Sequence, residues 1–147
     1  MNDMIKRQRR KIEAFTAECR EKGLSITEQR VAIFKELCTT DTHPSAEDIY
    51  GRLKNRIPTL SLATVYKTLD AFERHQFVTK TRATGEKARY DANIEPHHHL
   101  VCTECGKIQD LSSKNLIEQR PARNQLNGFE VKTCRVDFHG ICKDCRS

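Results

Sequence analysis

The sequence is poor in the materials of a large core. It has no tryptophan, and apolar residues make up only 37% of its 147 positions. A chain of this length forms one ordinary domain or two small ones, and so thin an apolar fraction leaves any core modest and in need of staples. Long apolar runs are missing too. The longest, Val31 to Phe34, covers four residues, far short of the roughly 20 that cross a bilayer. The basic start MNDMIKRQRRK has no apolar stretch behind it, so it does not read as a secretory signal. There is no internal repeat and no low-complexity tract. Without an export signal the expected compartment is the cytoplasm, where cysteines serve as metal ligands or reactive thiols more often than as disulfides.

What is present is charge and cysteine. Lys and Arg number 26 against 20 Asp and Glu, a net charge of +6. That excess makes an anionic partner worth testing without proving one. The seven cysteines are unevenly placed: Cys19 and Cys38 lie upstream, and five fall between Cys102 and Cys145. The two halves of the chain therefore read differently.

The first half alternates helical stripes with caps. Met4 to Lys22 carries Ile12, Phe15 and Cys19 at helical spacing, and Gly23 suits a C-cap. Thr27 is an N-cap for a stripe of Val31, Phe34 and Cys38 with Ile33 and Leu37. Ser45 and Asp48 form a capping box ahead of Ile49 and Leu53, and Pro58 is expected to stop that helix. Ser61 caps a fourth segment, in which Leu62, Val65, Leu69 and Phe72 make a buried stripe. FVTKTR and KARYDA then flank ATGE as a hairpin. Helices followed by a hairpin fit a winged helix-turn-helix, whose last helix enters the major groove; an ordinary small α+β domain fits the same order.

Beyond Asp91 the texture changes. NIEP reads as a linker, HHHLVC and KIQDL as strands, and Ser112 to Leu126 as a weaker helix interrupted near Pro121. FEVKTCRVDFHG reads as a strand whose apolar phase switches between Val131 and Val136, which predicts a bulge or bend.

Two CxxC pairs stand in this half, Cys102 with Cys105 and Cys142 with Cys145, separated by 36 residues. Each pair offers two thiolates on one knuckle, and two knuckles complete a tetrahedral zinc site. Four sulfurs leave no position for substrate, so such a zinc is structural, a staple for a half with little core. An iron–sulfur cluster uses the same ligands, and a single pair could be a redox couple. Just upstream, His97 and His99 share a strand face while His98 points away, a good start to a divalent-metal site. Asp91, Asp110 and His43 are further oxygen and nitrogen donors, each an ordinary solvated residue if taken alone. A mixed set of this kind suits Fe(II), Mn(II) or Zn(II).

ITEQR, HPSAEDIY, SLATVYKTLDAF, HHHLVCTECGK and GICKDC occur in this order, and together they resemble the ferric uptake regulator (Fur) family from about Gly23 to Cys145. The resemblance implies an α+β chain. It implies a winged-helix DNA-binding domain over 1–90, a hinge over 91–97 and a zinc-stapled dimerisation domain over 98–147. It implies a homodimer on double-stranded DNA with an inverted-repeat operator, and structural Zn(II) on Cys102, Cys105, Cys142 and Cys145. It also implies a regulatory metal, Fe(II) or Mn(II), on His43, Asp91, His97, His99 and Asp110. Two Asp ligands resemble the peroxide-sensing branch, in which a ligand histidine, here His43 or His97, is oxidised; iron-sensing relatives more often carry Glu. An accessory site of such relatives is not matched, because His98 and Cys134 stand where an acid and a His are usual. By the same resemblance Arg30 contacts phosphate. Ser61 and Thr64 suit phosphate contacts, Tyr66 thymine methyls, and Lys67 a base or phosphate.

The basic residues Lys6, Arg7, Arg9, Arg10 and Lys11 suit the DNA backbone or a solvated tail equally, and Lys80, Arg82, Lys87 and Arg89 make the hairpin basic. The alternatives are an iron- or zinc-responsive uptake repressor, a zinc metallohydrolase, which would lack the HExxH motif, and a redox protein using Cys134 or Cys38. Cys19, Cys38 and Cys134 have no assigned role.

Overall fold

The computed structural model describes residues 2–40, 42–82, 87–111, 122, 125–132 and 134–146, which fall into two units, Met1–Ile94 and Glu95–Ser147. The protein is a mixture of helix and sheet. No helix among the described residues is long and apolar enough to cross a membrane.

In the first unit, helices α1 (Asn2–Glu21), α2 (Glu28–Thr39), α3 (Ala46–Leu53) and α4 (Leu62–Arg74) precede strands β1 (Thr79–Arg82) and β2 (Ala88–Asp91). Local chemistry sets most helix ends. After α1, Leu24 N–H bonds to the Cys19 carbonyl at 2.8 Å and Gly23 N–H to Arg20 at 3.3 Å, a Schellman motif. Gly23 takes φ +70°, which a side chain would resist. Thr27 accepts Arg30 N–H and Ser61 accepts Thr64 N–H at the starts of α2 and α4. Ser45 and Asp48 close a reciprocal capping box on α3.

The stripes meet in one core. Phe15 stacks on Phe34 with centroids 4.0 Å apart, and Phe72 and Phe77 meet Phe15 edge-on. Val65, Leu69 and Phe72 of α4 are fully buried, each adding about 1.5–3 kcal/mol of apolar burial. Leu62 is only partly covered, as are Val31 and Cys38. Two expectations change here. The helix expected to run to Pro58 ends at Leu53, because Arg56 and Ile57 both bond back to the Leu53 carbonyl and tighten the chain into turns before the proline. The basic N-terminal residues lie on α1 and not on a tail, and Arg9 pairs with Glu13 one turn on at 2.9 Å.

β1 and β2 pair antiparallel, Thr79 opposite Asp91. Two basic residues on these strands have acidic neighbours: Lys80 lies 3.9 Å from both Asp70 and Glu73, and Arg89 3.4 Å from Asp48.

Among its described residues the second unit holds a three-stranded sheet of β3 (His98–Cys102), β4 (Ile108–Leu111) and β5 (Asp137–Gly140), in the order β4-β3-β5. β4 is antiparallel to β3, and β5 is parallel to it. Among its described residues His99, Val101, Cys102 and Ile108 are buried. The helix expected over 112–126 lies almost wholly outside the described residues. The long strand expected over 129–140 is corrected: only Asp137–Gly140 is strand, and the described residues before it are irregular. The ladder runs out because the next residue back, Val136, gives its N–H to the His98 side chain at 2.9 Å, and Pro96 has no N–H to offer.

Candidate metal sites

The four-cysteine cluster follows from the β3–β5 pairing. Parallel register sets Cys102 beside Gly140, so both strands end at one place and each runs on into a knuckle. Thr103 N–H ties the first knuckle to the Gly140 carbonyl at 2.8 Å. Gly106, at φ +72°, returns its N–H to the Cys102 carbonyl and closes that turn. In the second knuckle Cys145 N–H and Arg146 N–H both reach the Cys142 carbonyl. The four Sγ atoms lie within 4.8 Å of one another, and those of Cys105 and Cys142 are 3.8 Å apart. A tetrahedron with metal–sulfur bonds of about 2.3 Å has edges of about 3.8 Å, so the residues fit a single four-coordinate cation.

The thiols are electrostatically unequal. Backbone N–H groups of Cys105 and Cys142 point at the Cys102 sulfur and bring its pKa down to about 6. Hydrogen bonding with Cys142 and Cys105 pushes Cys145 up to about 12. Cys102 is thus the readier of these two to ionise, and Cys145 the one that most needs a cation to take its proton. All seven cysteines are free thiols, with Cys19 buried and Cys134 exposed.

The second unit also gathers His97, His99 and Asp110. His99 lies opposite Asp110 across β3 and β4. His97 Nε2 is 3.0 Å from His99 Nε2 and 3.2 Å from Asp110 Oδ1, and His99 Nε2 is 3.7 Å from that same oxygen. The far nitrogens explain this aim. His97 Nδ1 is 2.6 Å from the Glu95 carbonyl oxygen, and His99 Nδ1 is 3.1 Å from Asp137 Oδ1. A carbonyl oxygen only accepts, so Nδ1 of His97 carries the proton and Nε2 presents a lone pair. The same logic applies to His99 against the carboxylate. Two imidazole lone pairs and a carboxylate oxygen then converge, an arrangement that a divalent cation satisfies. With metal–nitrogen bonds of about 2.1 Å, adjacent ligand atoms stand about 3.0–3.4 Å apart, close to the spacing seen.

In the first unit, His43 and Asp91 meet. His43 Nδ1 is 3.6 Å from Asp91 Oδ2, with His43 buried. Asp91 closes β2 and takes the Asn93 N–H on its other oxygen at 2.8 Å. His43 is fixed by its neighbours: Tyr90 N–H bonds to the Pro44 carbonyl at 3.0 Å, and Arg89 reaches the His43 carbonyl.

The five residues considered for DNA contact lie on α2, on α4 and at the cap of α4. Arg30 is half-buried and donates to Ser25. Ser61 caps α4, Thr64 lies in its first turn, and their hydroxyls bond to each other at 2.8 Å. Tyr66 and Lys67 are exposed, and the Tyr66 hydroxyl donates to Glu47 at 2.8 Å. That bond holds the Glu47 carboxyl below its usual range together with a backbone hydrogen bond, which is the larger cause. Asp137, Glu95 and Glu47 were not foreseen. Glu47 stands in HPSAEDIY with no role expected of it, and the contacts of the three come from pairings 38, 2 and 19 residues apart.

The profile of the ferric uptake regulator family matches residues 21–145. The peroxide-responsive repressor PerR of Staphylococcus aureus (strain Mu50) is 34% identical over 135 residues, covering 92% of this chain and 91% of its own. The solved peroxide stress regulator of Campylobacter jejuni is 35% identical, with a TM-score of 0.67 over 80% of this chain and 88% of that one. The Helicobacter pylori ferric uptake regulator Fur, at 23% identity, shares the fold, with a TM-score of 0.73 over 94% and 93% of the two chains. These relatives are regulators, which sets aside the hydrolase alternative. The chain belongs to the ferric uptake regulator family.

Proposed function

We propose that this chain is a homodimeric, metal-dependent transcriptional repressor that binds an inverted-repeat operator on double-stranded DNA and senses hydrogen peroxide in the cytoplasm. Residues 1–90 act as a winged-helix DNA-binding domain, 91–97 as a hinge and 98–147 as a dimerisation domain. α4 serves as the recognition helix and β1–β2 as the wing. Arg30, Ser61 and Thr64 hold phosphates, Tyr66 packs on thymine methyls, and Lys67 reaches a base or phosphate. Cys102, Cys105, Cys142 and Cys145 hold a structural Zn(II).

The observation that carries the reading is the convergence of His97 Nε2, His99 Nε2 and Asp110 Oδ1, with both far ring nitrogens facing acceptors. His43 and Asp91 supply the remaining ligands of one regulatory cation, Fe(II) or Mn(II). Asp91 and His97 are six residues apart, so the chain keeps the two sets within reach. Because the ligands come from both units, holding one cation together couples the units. DNA affinity and metal affinity then rise together, by reciprocal amounts. Bound Fe(II) would activate peroxide, one oxygen of which would be added to His43 or His97 while the other leaves as water. A ligand changed in this way would release both metal and DNA.

The paired Asp91 and Asp110 favour the peroxide reading over an iron- or zinc-responsive one. The test is to load the protein with Fe(II), bind it to operator duplex, add dilute peroxide and map oxidation by mass spectrometry. Oxygen added at His43 or His97 with loss of DNA binding is the expected result. A protein that stays unmodified and bound is an iron- or zinc-responsive repressor.

A further inference from the structure

Asp137 is not among the metal ligands assigned above, yet it is the side chain that meets the most buried of them. His99 is 0% exposed, and its Nδ1 lies 3.1 Å from Asp137 Oδ1. The parallel register sets Asp137 directly opposite His99, and His99 N–H bonds to the Val136 carbonyl at 3.1 Å. Backbone and side chain of β5 therefore grip the same histidine. Arg135 Nε lies 3.6 Å from the same carboxylate oxygen and holds it in place.

A neutral imidazole has two tautomers, and only one leaves Nε2 able to coordinate. His97 is fixed in that form by a main-chain carbonyl, Glu95. His99 depends on a side chain. Asp137 sits at the Nδ1 edge, across the ring from Nε2, so it orients the ring and does not share in coordination there. Such carboxylate–histidine–metal relays fix ring orientation and commonly strengthen metal binding about tenfold to a hundredfold.

We propose that Asp137 is a positioning residue: it accepts the His99 Nδ1–H and so holds Nε2 toward the regulatory cation. The proposal rests on the reading of His97, His99 and Asp110 as ligands of one metal.

The test uses the full-length, zinc-loaded protein and Mn²⁺ alone as probe, with affinity measured by electron paramagnetic resonance of free Mn²⁺. Asp137→Ala is expected to bind Mn²⁺ about tenfold to a hundredfold more weakly with zinc content unchanged. Asp137→Asn, whose amide oxygen can accept the same N–H, is expected to regain most of that loss. Independently, ¹⁵N-resolved histidine spectra of the zinc-loaded, manganese-free protein should show His99 as the Nδ1–H tautomer in the wild type and the Asn variant, and a mixture in the Ala variant. Unchanged Mn²⁺ affinity and an unchanged His99 tautomer in Asp137→Ala would overturn the proposal alone. Wild-type protein that binds no Mn²⁺, yet keeps the Nδ1–H tautomer, would overturn the metal reading on which it stands.

Discussion

Tyr66 of α4 donates its hydroxyl to Glu47 of α3 at 2.8 Å, so the exposed ring is tethered by an acid from the preceding helix. If the ring packs on thymine methyls, its aromatic face matters and its hydroxyl does not. Tyr66→Phe should then bind operator nearly as the wild type does. Tyr66→Ala should lose roughly 1 kcal/mol or more, the scale of one mismatched base pair. Fluorescence anisotropy on a labelled duplex at fixed salt separates the two.

Tyr90 is 1% exposed, and its hydroxyl has no hydrogen-bond partner among the described residues. Burial pushes its pKa up to about 12. Its folded pKa thus lies above the ordinary value near 10, so the folded state keeps a proton that the unfolded state gives up. Stability is full below about pH 10 and falls as pH rises from there toward 12, by at most about 1.4 kcal/mol per unit. Tyr90→Phe should abolish that alkaline loss and cost nothing at neutral pH. Urea titrations at pH 7 and pH 11 check both.

The capping box on α3 gives the opposite sign. Burial alone would raise the Asp48 pKa, but hydrogen bonds from the Ser45 backbone and side chain, aided by Arg89, bring it below its ordinary value. Its contribution is present above about pH 4 and lost as pH falls through the lowered folded value. Asp48→Ala should cost about 1 kcal/mol at pH 7 and much less near pH 3, read from thermal melts at each pH.

Phe72 lies at the centre of the aromatic cluster with Phe15, Phe34 and Phe77. Phe72→Ala should destabilise the first unit by about 3–5 kcal/mol, a large part of the stability of a small domain. The urea midpoint followed by circular dichroism reads this loss.

Chelating the cation from the four cysteines should unfold the second unit and leave the first helical, since the units have separate cores. Reloading zinc should release protons, more from Cys145 than from Cys102, because only the latter thiol is already lowered. Calorimetry in buffers of different ionisation heat counts those protons.

Much of the first unit was legible because its information is local. Thr27, Ser45 and Ser61 cap the helices that follow them, and Val65, Leu69 and Phe72 are buried at their expected spacing. The CxxC pairs declared their cluster for the same reason, each half being four residues long. What was not legible depends on pairing at a distance. The strand expected from residue 129 shrank to Asp137–Gly140 because its length is set by β3, not by its own apolar phase. Asp137 read as an ordinary acid because nothing in the sequence says that β5 lies parallel to His99. Leu53 ends α3 early through main-chain bonds that no side chain announces.

His97, His98 and His99 are three identical side chains in a row, and such a run cannot tell a strand which of its members faces inward. The mark that settles it is Cys102, pinned by its knuckle to the end of β5. From Cys102, His99 is three residues back, about 10 Å along the strand. A slip of one residue would turn His98 toward Asp110 and present His99 to the other face. The cysteine cluster is therefore more than a fastening. It is the origin from which the histidines are counted, and a chain stripped of it would lose the address of His97 and His99 before it lost the residues themselves.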